Sequence, residues 1–217
     1  MAAEGSMPNV RKKRDAASTR AAILQAALDE FSEMGHGGAR VDRIASRAGV
    51  SKPMIYDYFG GRDAVYAAAL REAILRNRHQ EAAFDADLDD PHAALRALVV
   101  FLMDHFRQNP WFMRMLSAEN LLGAETILQM GDDIGGASIL VTRLGEILQR
   151  GVDQGAFRDD VTPVEAYVFI VSLCCFPVSN MHTLRAAFGA QIDEAWLKQH
   201  ADRSAEMFLC FLKSELS

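Results

Sequence analysis

Apolar positions recur along the chain at steps of three and four, and no stretch alternates apolar and polar residues as a half-buried strand would. Ile23, Leu24, Ala27, Leu28 and Phe31 predict an amphipathic first helix over Ser18 to Met34, which Gly35 ends. Ile44, Ala45 and Ala48 predict a short second helix stopped by Gly49, and Ser51 is placed to cap a third that runs through Met54, Ile55 and Phe59. Gly60 and Gly61 break the chain before Arg62 opens a long helix with the stripe Val65, Tyr66, Ala69, Leu70, Ala73 and Ile74.

The pattern continues to the end of the chain. Leu95, Leu98, Leu102 and Phe106 share one face of a helix expected from His92 to Arg107, after which Asn109 and Pro110 cap and start another through Trp111, Phe112, Met115 and Leu116. Gly131, Gly135 and Gly136 separate that region from a helix bearing Leu140, Leu144, Ile147 and Leu148, expected to stop near Gly151 or Gly155. Thr162 and Pro163 open the most apolar helix, from Val164 to about Ala187, with a kink at Pro177, which lacks an amide donor and crowds the carbonyl of Leu173. The last helix, Glu194 to Leu212, sets Leu197, Ala201, Ser204, Phe208 and Phe211 at alternating steps of four and three, a coiled-coil-like seam. The fold class is therefore all-α.

Val41 to Phe59 reads as a helix-turn-helix. Its second helix opens with Ser51, Lys52 and Pro53, and Tyr56 lies one turn beyond Lys52, so a cation and a phenol share a face suited to a major groove. Tyr56 and Tyr58 stand two apart and cannot both face inward. The stretch IASRAGVSKPMIYDYFGGRDAVYAAAL, preceded by TRAAILQAALDEFSEMG, resembles the amino-terminal domain of TetR-family transcriptional regulators. Ile44, Ala45, Ala48, Gly49, Val50, Ser51, Ile55, Tyr56, Phe59 and Arg62 match the family pattern over about the first third of the chain.

The resemblance implies a three-helix DNA-binding domain at residues 18–62 and a larger helical ligand-binding and dimerisation domain at 63–217, preceded by a disordered basic arm at 1–17. It implies base and phosphate contacts from Lys52, Pro53, Tyr56, Tyr58 and Arg62, with Arg40, Arg43 and Ser51 alongside. Where family members commonly carry a hydroxyl pair before the second helix this chain has Ala39 and Arg40; arginine can supply charge to a phosphate but cannot accept as a cap. The resemblance also implies a homodimer formed by the final two helices, here with Leu197, Ala201, Ser204, Phe208 and Phe211. The other reading of that seam is closure of the chain's own core.

The overall charge of −6 argues against a nucleic-acid partner until the chain is divided. Through Arg62 there are 10 Lys and Arg against 7 Asp and Glu, or +3, leaving 13 against 22, or −9, for the rest. The run Arg11 to Arg14 is either a solubilising tail or an arm that adds phosphate contacts. The apolar run from Val164 to Val178 is interrupted by Glu165, Ser172 and Pro177 and is too short to span a bilayer, so no membrane partner is expected. Three cysteines without a signal-like start point to a reducing cytoplasm, with Cys174 and Cys175 as buried small hydrophobes.

A small-molecule effector is the further expectation. Candidate lining residues are Phe101, His105, Trp111, Met115, Glu119, Asn120, Tyr167, Phe176, Met181 and His182, although aromatics and Met at helical spacing are more often plain core. Glu119 and Asn120 stand out because a polar pair among Met115, Leu116, Leu121 and Leu122 must be exposed, paired or facing a cavity. A mostly apolar or aromatic effector with one or two polar groups suits this composition.

No catalytic residue, metal site or cofactor is expected. The segment Asp85 to Asp89 imitates the start of a calcium loop but is followed by Asp90 where glycine is needed and Arg96 where glutamate is needed. No two histidines share a helix at metal-ligand spacing, and no nucleophile, zincin or dinucleotide motif is present. The reading is a ligand-responsive repressor of a pseudopalindromic operator; the alternative is a helical carrier or interaction protein that keeps the helix-turn-helix as structure.

Overall fold

The computed structural model describes residues 8–131, 138–189 and 192–213, with side chains from Asp15 onward. Eleven helices are present among the described residues: α1 (Pro8–Gly38), α2 (Val41–Ala48), α3 (Lys52–Phe59), α4 (Arg62–Glu81), α5 (Pro91–Gln108), α6 (Pro110–Leu121), α7 (Glu125–Met130), α8 (Ile139–Asp153), α9 (Pro163–Ser179), α10 (Met181–Phe188) and α11 (Glu194–Leu212). There is no strand among them, only an isolated bridge between Phe157 and Lys213. The expected all-α class is what the chain adopts.

Two compact units form, Met1–Leu75 with Arg114–Ile134, and Arg76–Met113 with Gly135–Ser217. This division departs from a boundary after Arg62. The first half of α4 belongs with the first unit because Tyr66 packs edge-on against Phe31, with ring centroids 4.9 Å apart, and donates its hydroxyl to Glu119 at 2.8 Å. Ile23, Ala27 and Phe31 of α1, Ile44 of α2, Ile55 of α3 and Val65, Ala69 and Leu70 of α4 are all buried in this unit.

Local chemistry explains most helix ends. Gly35 adopts φ 66° and ψ 174° and breaks α1 where expected, because an L side chain is strained at that positive φ. The start of α1 differs from expectation: the helix begins at Pro8, so the segment expected to be a disordered arm is helical from there on, and residues 1–7 lie outside the described part. Arg11 to Arg14 and Ala16 to Ala17 are good helix formers, which offsets their lack of anything to bury. The acidic stretch before α5 ends in a cap, with the Asp90 side chain accepting from the Ala93 amide at 2.9 Å. α7 was not expected as a separate helix; Gly123 and Ala124, both at positive φ, interrupt the chain between it and α6. Gly135 and Gly136 lie outside the described residues.

In the second unit, Leu95, Leu98 and Leu102 of α5 meet Leu140, Leu144 and Ile147 of α8, Ile170 of α9 and Phe208 of α11 in one apolar core. Gly151 matters here because a Cβ on it would overlap the ring of buried Phe157. Thr162 caps α9 in a reciprocal pair with Glu165. The helix then ends at Ser179 instead of continuing to Ala187, and α10 leaves at a bend of 68°. Pro177 removes the amide that would bond the Leu173 carbonyl, and the ring Nε2 of His200 on α11 takes that carbonyl at 3.0 Å. Ser179 and Asn180 turn their side chains back onto the Cys175 and Phe176 carbonyls at 2.8 and 3.0 Å, which closes α9. Among the described residues no single helix is long and apolar enough to cross a membrane.

A polar chain also lies within this unit. His105 Nε2 is 2.7 Å from Asn77 Oδ1, Asn77 donates to Glu81 at 2.8 Å, and Ser138 donates to the other Glu81 oxygen at 2.8 Å. Burial pushes the Glu81 carboxyl above its ordinary pKa, against the lowering pull of the Ser138 and Asn77 hydrogen bonds, and burial pushes His105 below its own. Burial also raises the Tyr167 phenol, to about 12, with the charge of Glu81 adding to it.

Two outcomes follow from this packing. Gly151→Ala is expected to lower unfolding stability by about 1–3 kcal/mol in urea titration, through displacement of Phe157. Because the folded chain holds the Glu81 proton more tightly than the unfolded chain, stability falls as pH rises from 4.5 through the folded pKa. Glu81→Gln removes the buried charge, keeps the bond from Asn77 at its oxygen and donates its amide to the Ser138 hydroxyl in place of accepting from it, so its Tm should exceed that of the wild type at about pH 7.5, with the gap closing towards about pH 4.5.

Candidate nucleic-acid interface and effector cavity

The helix-turn-helix is closed by Gly49 at φ 67° and ψ 29°, which lets the Val50 amide return to the Ala45 carbonyl at 3.0 Å. Ile44 and Ile55 are fully buried between α2, α3 and their neighbours, so the opposite face of α3 is turned outward. Lys52, Pro53 and Tyr56 are exposed on that face, and Tyr58 is half-buried. Phe59 is held from α1 by the Arg20 guanidinium, 4.9 Å above its ring centroid. Ser51 occupies the N-cap position of α3, but its hydroxyl makes no capping hydrogen bond, contrary to expectation.

The missing hydroxyl cap of α2 has a substitute. Glu30 of α1, fully buried, accepts the Arg40 backbone amide at 3.1 Å through Oε1, and its Oε2 lies 3.1 Å from Arg43 Nε and 3.7 Å from Arg47 Nε. By accepting the amide of the N-cap residue itself, the carboxylate takes the part that the glutamate of a capping box plays, and it adds charge attraction at the helix amino terminus. Oε2 receives no well-aligned N–H, so its stabilisation comes from the two nearby guanidiniums. Arg47 also grips Glu33 through both terminal nitrogens, at 3.1 and 2.5 Å. That hydrogen bonding lowers the Glu33 pKa and raises that of Arg47.

These contacts sort the expected DNA-binding residues. Arg40, Ser51, Lys52, Pro53 and Tyr56 lie on the surface; Arg43 is part-exposed but paired with Glu30. Lys52 is paired with Asp42 of α2 at 3.0 Å, and this hydrogen bond raises its pKa. Arg62, expected to hold a phosphate, is engaged within the chain. Its guanidinium donates to the backbone carbonyls of His36 and, at 3.4 Å, Ala39, and sits over the Phe31 ring, so it ties the end of α1 to the start of α4. Glu30, Glu33 and Arg47 were missed by sequence reasoning. The available signal was Glu30 itself, seven residues after Ile23 on the apolar stripe of α1, where an acidic side chain requires donors.

The expected effector-site residues are divided between the two units. Met115, Glu119 and Asn120 belong to the first unit and the others to the second. Glu119 is fully buried and holds structure: it accepts the Tyr66 hydroxyl at 2.8 Å and, through its other oxygen, the Thr126 and Ile127 amides of the first turn of α7 at 2.7 and 3.2 Å. Its neighbour Asn120 is exposed. The Glu119 carboxylate is thus satisfied within the chain. Phe101 stacks on His105, and Tyr167 packs against the core of the second unit. His182 is exposed, Met181 half-buried, and Trp111 lies edge-on to Phe112.

Of the ten, Phe176 borders a cavity of about 560 Å3 at the bend between α9 and α10, and Phe101 borders another, of about 500 Å3. Pro177, Leu184, Phe188, Trp196 and His200 share the lining of the first. The seam residues Leu197, Ala201, Ser204 and Phe208 are buried in the chain's own core, and only Phe211 is exposed. This corrects their assignment to a dimer interface: the α11 seam is filled by α5 of the same chain. Cys174 is buried, its thiol pushed to about 12 by burial, and Cys175 is half-buried.

Known proteins bear on this geometry. Residues 23–69 match the family described as bacterial regulatory proteins, tetR family, and residues 91–207 match the tetracyclin repressor-like C-terminal domain. The chain is 34% identical over 190 residues to the HTH-type transcriptional repressor NicS of Pseudomonas putida, covering 86% of this chain and 88% of that one. It is 34% identical over 118 residues to the HTH-type transcriptional regulator RutR of Escherichia coli, covering 54% of this chain and 55% of that one. Among solved structures it shares its fold with the transcriptional regulator SCO4942 of Streptomyces coelicolor, with a TM-score of 0.64 at 22% identity over 87% of this chain and 97% of that one. A TetR-family regulator from Mesorhizobium loti gives a TM-score of 0.62 at 20% identity, over 93% of this chain and 99% of that one. A helix-turn-helix with an outward cationic and phenolic face, joined to a helical second unit and matched along most of its length by these regulators, places the chain in the TetR family of DNA-binding transcriptional regulators.

Proposed function

We propose that the chain is a homodimeric repressor that binds a pseudopalindromic operator in the cytoplasm and is released from it by a small molecule. The observation that carries this reading is the outward face of α3. Lys52, Pro53 and Tyr56 stand exposed at its amino-terminal end while Ile55 anchors its inner side. A lysine ammonium and a phenol at a helix amino terminus suit guanine acceptors and phosphate oxygens. Arg40 and Arg43 add backbone contacts from the start of α2.

Asp42 sets the threshold of that contact. It neutralises Lys52 in the free protein, and operator phosphate or base oxygen takes its place on binding. The exchange of one ion pair for another keeps Lys52 oriented and lowers attraction to arbitrary DNA.

The dimer forms through the outer sides of α9 and α11. Val164, Val168 and Phe169 on α9 and Met207 and Phe211 on α11 are exposed, and the Phe169 and Phe211 rings lie 5.6 Å apart, so the two helices offer one continuous apolar face. Such a face fits a second copy placed by two-fold symmetry, which sets two α3 helices about 34–36 Å apart on one side of the duplex. Effector binding then favours a different separation, a shift for which ~1–3 kcal/mol of coupling suffices.

Anisotropy titrations of operator DNA at several salt concentrations test the reading face. Lys52→Ala is expected to flatten the salt slope by about 0.9 for each phosphate that the variant no longer neutralises, and Tyr56→Ala to weaken binding by about 1–3 kcal/mol. Asp42→Asn is expected to tighten binding. Unchanged affinity in both alanine variants would show that α3 does not read the operator. For the dimer, Phe169→Glu with Met207→Glu should give folded monomers in sedimentation, whereas Ala201→Glu should unfold the chain.

A further inference from the structure

We infer that the cavity at the α9–α10 bend binds an uncharged, flat aromatic molecule bearing one hydrogen-bond donor. The inference rests on the reading of the chain as ligand-responsive and gives that response a site and a chemical class.

The cavity lies where the helical path bends at Asn180, just beyond Pro177. α10 turns away from α9 by 68°, and the space left between them and the start of α11 has a volume of about 560 Å3. That lies within the ~300–1,000 Å3 typical of clefts that enclose small ligands. Arg185 of α10 holds the far side by donating to the Ile192 carbonyl at 2.5 Å.

The lining specifies the occupant. Phe176, Phe188, Trp196 and His200 contribute four aromatic rings, Phe176 and Phe188 exposed at the open rim and Trp196 and His200 stacked 4.8 Å apart and within 7° of parallel. Aromatic walls favour a planar aromatic guest through offset and edge-to-face packing over an aliphatic one of equal size. None of the described lining residues is Asp, Glu, Lys or Arg, so a charged guest would be desolvated without a partner. His200 supplies the polar selectivity. Its Nε2 donates to the Leu173 carbonyl freed by Pro177, and in the neutral ring this leaves Nδ1 as an acceptor. The matching group on the guest is an O–H or N–H donor. Occupancy braces α9 against α11, the two helices that carry the exposed apolar face, so it acts on the dimer directly.

Calorimetric titration of the full chain with β-naphthol, its methyl ether and cyclohexylmethanol tests this. β-Naphthol is expected to bind once per chain, the ether about three- to tenfold more weakly for want of the donor, and the aliphatic alcohol not measurably. Leu184→Trp, which fills the cavity, should abolish binding. His200→Phe keeps a ring there and should make the two naphthalenes bind equally, with the folded state checked by circular dichroism. Absence of stoichiometric binding, equal affinity for both naphthalenes in the wild type, or full binding by Leu184→Trp would overturn the site; a second copy's chain filling the cavity would give the first of these results. Operator gel shifts separate the two readings. If a small molecule releases operator equally from wild type and Leu184→Trp, the cavity assignment falls and ligand control stands. If β-naphthol binds as expected and no aromatic donor releases operator, the cavity stands and ligand control through it falls.

Discussion

A carboxylate withdrawn from water must be surrounded by donors, and three glutamates impose that demand at the joints of this helical chain. Glu30 collects the Arg40 amide and the guanidiniums of Arg43 and Arg47, which sets α2 on α1. Glu119 collects the Tyr66 hydroxyl and the first amides of α7, which ties α4, α6 and α7 together. Glu81 collects Asn77 and Ser138, and through Asn77 reaches His105 on α5. Apolar packing alone would let these helices slide or rotate by a step; each carboxylate holds its partners in one arrangement.

The face proposed to read DNA depends on the first of these. α2 and α3 have eight residues each, too short to be stable as isolated helices, and their positions come from Ile44 and Ile55 beneath and Glu30 at the side. With the inner side so held, Lys52 and Tyr56 are presented outward on a rigid support. Asp42, one helix away, then tunes the charge of that face without altering its shape.

A different constraint shapes the second unit. Pro177 leaves the Leu173 carbonyl to His200, the chain bends after Ser179, and a cavity lined by aromatic rings lies at that bend. The outer sides of α9 and α11 stay apolar and exposed beside it, so the same two helices bear both the cavity and the face proposed to meet a second copy.

Helix class and most helix ends were legible in the sequence because they are settled locally. Gly49 adopts the left-handed conformation that ends α2, Thr162 and Glu165 cap α9 within one turn, and the stripes of α4 and α5 are buried as their spacing implies. The reading helix was legible for the same reason, from Gly49 through Phe59. What tertiary structure alone decided is which partner each face meets. Leu197, Ala201, Ser204 and Phe208 make the same amphipathic seam whether α5 of the same chain or a second copy fills it, and only the packed chain shows that α5 does. Arg62 and Glu119 read as binding groups because charge near a motif or among apolar residues signals only that a partner is needed; the partners, carbonyls at His36 and Ala39 and donors on α4 and α7, come from elements distant in sequence. Local φ and ψ preferences are written residue by residue, whereas the satisfaction of a buried charge depends on where the rest of the chain has gone.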